Sequence, residues 1–187
     1  MLSWRATFEA ACTYGEFLDR FASDAERRAW ADAFDGFVLT TAQRALLDTF
    51  VRDMNVICLA GAWCGDCVRQ CPIFEHITRA CRRVNVRYLD RDADDAVRAA
   101  LSICGGHRVP VVVFLSEDFA ECARYGDRTL SRYRALAAEQ FGATCPTGVP
   151  AARSDIAADV VADWLREFER IQLMLRLSPR LREKHGD

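Results

Sequence analysis

Val56-Ile57-Cys58-Leu59-Ala60-Gly61-Ala62-Trp63-Cys64-Gly65-Asp66-Cys67 is the stretch on which the folding of this chain turns. An apolar run of strand length gives way to a tryptophan and two cysteines in CxxC spacing. The residues that follow, Val68, Cys71, Ile73, Phe74, Ile77 and Cys81, recur at helical intervals. The segment therefore reads as a strand turning into a helix, with Cys64 at the turn. Free backbone N–H groups and the helix dipole at such a terminus stabilise a thiolate, so Cys64 is the expected nucleophile, with a pKa below that of a free cysteine. Cys67, one turn deeper, is the expected resolving thiol.

Working outward, residues 84–89 alternate like a strand, residues 94–103 have helical spacing, and residues 109–115 form a buried apolar strand introduced by Pro110. Residues 121–125 suit an edge strand. The order strand, helix, strand, helix, strand, strand predicts an α/β sandwich around a mixed sheet. Pro72 is expected to kink the helix that follows the cysteines. The acidic run from Asp90 to Asp95 lacks the glycine and terminal glutamate of a calcium loop, and is expected to end a strand and cap the next helix.

Upstream, residues 4–21 read as helix interrupted near Gly15. Asp24 is expected to cap a helix ending near Gly36, and Thr40 with Gln43 has capping-box spacing at the start of another. Downstream, residues 129–141 read as helix and residues 142–150 as a linker. Ser154 is expected to cap a last helix with an apolar stripe of Ile156, Val160, Trp164, Phe168, Ile171 and Leu175. These patterns divide the chain into a helical extension over 1–51 packed on the core, a sandwich over 52–128 and a second helical extension over 129–187. The C-terminal stripe is expected to pack on its own domain, with a dimer contact as the alternative.

The chain has 187 residues, 51 % of them hydrophobic, and a formal charge of −2, enough to bury one sizeable core without a basic block that would point to nucleic acid or an anionic membrane. Lys184 is the only lysine, which argues against Schiff-base and phosphate-loop chemistry. The N-terminal residues lack an apolar leader and no stretch is long enough to span a bilayer, so a soluble cytoplasmic protein is expected. Nine cysteines at irregular spacing are read as mostly reduced, several serving as small core residues.

Trp63-Cys64-Gly65-Asp66-Cys67, Pro72 in the helix and His107-Arg108-Val109-Pro110 downstream resemble the thioredoxin superfamily, over roughly residues 52–128. Asp66 and the Gly105-Gly106 pair look most like a thioredoxin-like branch with extra helices. The resemblance implies a thiol-disulfide oxidoreductase with no cofactor and no metal, working on protein or small-molecule disulfides. Its electrons would come from a partner such as a thioredoxin reductase or a low-molecular-weight thiol. It also implies that Pro110 is a cis-proline facing the cysteines and that Val109 offers backbone hydrogen bonds to substrate, with Trp63, Gly65, Asp66 and Arg108 supporting the site. Two departures stand out. Cys58 occupies the position of thioredoxin's buried aspartate, which is assigned proton transfer there. Asp66 replaces the usual proline, and its charge opposes a thiolate at Cys64 if it points that way.

Other readings of the same residues are an interaction or redox-sensing module, a metal or cluster site built on Cys64, Cys67 and Cys71 with Cys58, Cys104 or His107, and a hydrolase using Cys64 and His107. Trp63 and the Val-Pro pair have no part in the metal reading, and the hydrolase leaves the second cysteine unexplained. Cys71 is read first as a core residue and second as half of a regulatory disulfide. His107 and Arg108 are read either as site residues or as solvated loop, and His76 as a surface residue.

Overall fold

The computed structural model describes residues 2–142 and 156–187. Its centre is a four-stranded mixed sheet built from β1 (Met54–Ala60), β2 (Val84–Asp90), β3 (Val111–Ser116) and β4 (Glu121–Gly126), in the order β2-β1-β3-β4. β1 pairs in parallel with β2 and antiparallel with β3, which sets Cys58 between Tyr88 and Val112; β4 is the antiparallel edge. Val56 to Ala60 and all of β3 are buried, as strands covered on both faces should be.

Helix α5 (Gly65–Ala80) leaves β1 through the cysteine motif and packs across the sheet, burying Cys67, Cys71, Phe74 and Ile77. It continues through Pro72, which has no N–H to offer the carbonyl of Val68. Helix α8 (Ile156–Leu177) completes the same layer. Its Trp164 meets Phe74 edge-on at 4.5 Å and Tyr125 at 5.0 Å, and Phe168 meets Phe114 at 5.2 Å. Val160, Trp164, Phe168, Ile171 and Leu175 are thus covered by the chain's own core.

The first three helices are α1 (Trp4–Ala10), α2 (Tyr14–Phe21) and α3 (Asp24–Asp35), followed by α4 (Thr41–Asp48). The break after α1 falls at Cys12, not at Gly15. Cys12 exchanges backbone hydrogen bonds of 2.8 and 2.7 Å with Tyr88, covering the open edge of β2. Thr13 and Glu16 then restart the helix with a capping box, leaving Gly15 in its first turn. Ser23 caps α3 where Asp24 was expected, because Ser23 and Glu26 satisfy each other's backbone N–H groups. Thr40 and Gln43 form the expected box on α4. His76 is not a surface residue: it stacks on Phe34 at 4.0 Å and its Nε2 lies 2.9 Å from the Phe34 carbonyl, joining α3 to α5.

Asp94 caps α6 (Asp95–Ala100) through bonds from Ala96 and Val97 N–H. This helix stops short of Ile103, which pairs with Gly106 around a tight turn. Cys104 and Gly105 both have positive φ there, 49° and 71°, as a two-residue hairpin turn of the primed type requires. Thr129 caps α7 (Leu130–Phe141). The linker beyond Gly142 and the Ser154 cap lie outside the described residues. The chain ends with α9 (Pro179–His185), which the sequence patterns did not anticipate. Among the described residues no helix is long and apolar enough to cross a membrane.

Candidate active site

The strand-to-helix junction places Cys64 at the N-cap of α5, half-buried, and Cys67 one turn in with no exposure. All cysteines of the described residues are free thiols. Opposite them the Val109-Pro110 peptide is cis, and both residues are buried. The Cys64 thiol points at the Val109 carbonyl, Sγ to O 3.5 Å. Gly126 makes room behind this loop: its φ is +153°, and a Cβ there would stand 2.5 Å from the Pro110 carbonyl oxygen.

Two thiols in close interaction titrate as a pair. The interaction with Cys67, then burial, pushes the Cys64 thiol well above its ordinary value. Burial opposes ionisation of Cys67 too, yet interactions with Cys64 and Cys71 and the Gly61 N–H, 3.5 Å from its sulfur, carry Cys67 well below. The pair therefore gives up one proton readily and resists losing the second. The expectation of a depressed Cys64 is thus corrected: in the reduced pair Cys67 is the depressed thiol and Cys64 the raised one, because the Cys64 thiol donates to the Cys67 sulfur. The Asp66 and Cys67 N–H groups favour a thiolate at Cys64, although the neutral thiol makes no capping hydrogen bond.

Asp66 faces away from this charge. Its carboxylate is clamped by Arg128, with Oδ2 2.6 Å from Nη2 and 2.8 Å from Nε, and lies 3.8 Å from both Arg132 and Arg69. Arg128 and Arg108 also reach buried Asp127, at 3.2 and 3.5 Å, and Tyr133 donates its hydroxyl to the same carboxylate. Arg108 thus anchors the loop before Pro110 through Asp127. Gln70 ties the frame together, donating to the carbonyls of Asp66 and Asp127 at 3.2 and 3.1 Å and accepting from Trp164 Nε1 at 2.9 Å.

Trp63 is half exposed beside Cys64, with the Arg91 guanidinium 4.5 Å above its ring. Gly61 lets the indole lie against the backbone, since a Cβ there would fall 2.7 Å from the ring. Trp30, fully buried on α3, holds the motif from behind by donating to the Ala62 carbonyl at 2.9 Å. Gly65 has room for a side chain, so no steric demand explains it. His107 and Cys104 are exposed on the turn. Among the described residues no group of three His, Cys, Asp or Glu is placed to hold a metal. Arg91, Asp127, Arg128, Gln70 and Trp30 were missed by sequence reasoning. Only Trp30 carried a signal, because a buried indole N–H needs an acceptor.

A helix-borne CxxC facing a cis X-Pro bond at one end of a mixed sheet defines a thioredoxin-type protein. The chain belongs to that family: a family model described as thioredoxin matches residues 12–138. No curated protein matches the sequence. Among solved structures, the fold is similar to a Pseudomonas aeruginosa protein of unknown function, with TM-score 0.71 and 20 % identity over 91 % of this chain and 99 % of that one. It is also similar to an HIV epitope-scaffold protein, with TM-score 0.63 and 19 % identity over 89 % and 99 % of the two chains. At these identities the likeness is one of fold.

Proposed function

We propose that this protein is a thiol-disulfide oxidoreductase that reduces protein or small-molecule disulfides in the cytoplasm. The observation that carries the reading is the half-buried Cys64 sulfur 3.5 Å from the carbonyl of Val109 in a cis Val-Pro pair, with buried Cys67 behind it. Cys64, as its proton passes to the Cys67 thiolate, attacks a substrate disulfide and forms a mixed disulfide, releasing the first substrate thiolate. Cys67 then attacks the Cys64 sulfur, closes the Cys64 to Cys67 disulfide and expels the second thiolate, which takes up the Cys67 proton. An extended substrate lies along the Val109 backbone, flanked by Trp63 and Arg108. A thioredoxin reductase or a low-molecular-weight thiol returns the two electrons.

Insulin-disulfide reduction driven by dithiothreitol tests this directly, with Cys64→Ser as the reference. The wild type is expected to exceed the variant by at least about a hundredfold, the scale of removing an attacking nucleophile. Equal rates would transfer the reading to an interaction or redox-sensing module.

A further inference from the structure

The sulfur chain does not stop at the CxxC pair. Cys71 lies one turn beyond Cys67 on the same face of α5, and the two thiols interact. On the far side, Cys71 Sγ is 3.8 Å from Sγ of Cys58 on β1, and both residues are fully buried. Tyr88 bonds to the Cys71 carbonyl at 3.3 Å and not to its sulfur. Four thiols thus run from the surface to the sheet in the order Cys64, Cys67, Cys71, Cys58.

We propose that Cys58 and Cys71 are a second, buried dithiol that reloads the active pair by internal exchange, so that one chain delivers four electrons before it needs a reductant. This rests on the oxidoreductase reading. Once Cys64 and Cys67 are oxidised, the Cys71 sulfur attacks Cys67. The Cys67 to Cys71 bond forms, the Cys64 to Cys67 bond breaks, and Cys64 leaves as a thiolate at the helix terminus and takes up the Cys71 proton. Cys58 then attacks Cys71. The Cys58 to Cys71 bond forms, the Cys67 to Cys71 bond breaks, and Cys67 leaves and takes up the Cys58 proton. Two electrons and two protons pass outward with no external oxidant or reductant. Cys67 suits the middle position because the Gly61 N–H faces its departing sulfur. A disulfide needs its sulfurs at about 2.05 Å, so side-chain rotation and a slight approach of α5 to β1 close the inner pair.

The test treats fully reduced protein, freed of reductant, with excess insulin, quenches in acid, alkylates in denaturant and maps disulfides by mass spectrometry. The wild type is expected to show both Cys64 to Cys67 and Cys58 to Cys71 bonds, and Cys71→Ala and Cys58→Ala to deliver half the electrons through these bonds. In Cys64→Ser the inner bond should not form. Cys58 and Cys71 both alkylated in a wild type whose Cys64 to Cys67 bond is complete would overturn the relay and leave the oxidoreductase reading intact. Formation of the inner bond at an unchanged rate in Cys64→Ser would also overturn it. A wild type in which neither bond forms sinks both readings together. The wild-type map stands whatever the variants' stability.

Discussion

Asp66 occupies the one place in the motif where a wrong charge would do most damage, and the structure turns it outward. A carboxylate directed at Cys64 would oppose the thiolate; paired with Arg128 and flanked by Arg132 and Arg69, it organises cations beside the helix terminus. Asp66→Asn should therefore lower the first deprotonation step of the cysteine pair, because it uncovers those guanidinium charges while removing a weak repulsion on Cys67. The pH dependence of iodoacetamide alkylation at Cys64 measures this, and an upward shift of the midpoint would contradict it. The cysteines and Val109-Pro110 were legible in the sequence because their spacing is itself the chemistry. The Arg128 to Asp66 pair was not, since it joins residues 62 apart in the chain and neither position has a local pattern that marks the other. Cys58 was legible only as a departure, because no local pattern places it 3.8 Å from Cys71 on the facing helix.

At the level of elements, the cis-proline loop, α5 and α8 are registered to one another by a single side chain. Gln70 is 2 % exposed and satisfies the Trp164 indole N–H on α8 and the Asp127 carbonyl beside the loop anchor. Gln70→Ala leaves both buried groups without their partner, an expected loss of about 2 to 4 kcal/mol. Urea denaturation should report it as a lower midpoint with an unchanged slope; a loss below about 0.5 kcal/mol would mean that water replaces the amide. Strands and most helix starts could be read ahead of the structure, because alternation, helical spacing and capping boxes such as Thr40 with Gln43 are local. The break at Cys12 could not, for a different reason. Ala11 and Cys12 continue the helical spacing, and only the unpaired edge of β2, brought alongside by the fold, draws Cys12 into extended pairing with Tyr88.

Across the whole molecule, the family match ends at residue 138, yet the layer over β3 and β4 is completed by α8 beyond it. The C-terminal segment is fastened at the end of the sheet where β1 begins and β3 ends. Gln172 bonds to the Arg52 N–H and carbonyl at 2.8 and 2.9 Å, and Arg52 pairs with Asp187. At the same end of the sheet α9 is held to the β3–β4 turn by an ion pair between Arg180 and Asp118 and by His185 on Glu117 at 2.8 Å. The bond from Arg180, then that from the Ser116 hydroxyl, holds the Asp118 carboxyl at about 2 against an ordinary 3.8. An acid depressed on folding adds stability that is complete above its unfolded value and is lost as pH falls through its folded one, here between about pH 4 and pH 2. The Asp118 side chain is 36 % exposed, so solvent screening keeps the contribution to at most about 1 kcal/mol. Asp118→Asn should accordingly unfold at lower urea than the wild type at pH 7, and the gap between the two proteins should shrink towards zero as pH approaches 2. Paired urea titrations across that range provide the measurement. A gap that stays constant with pH would show that Asp118 holds α9 by shape and not by charge.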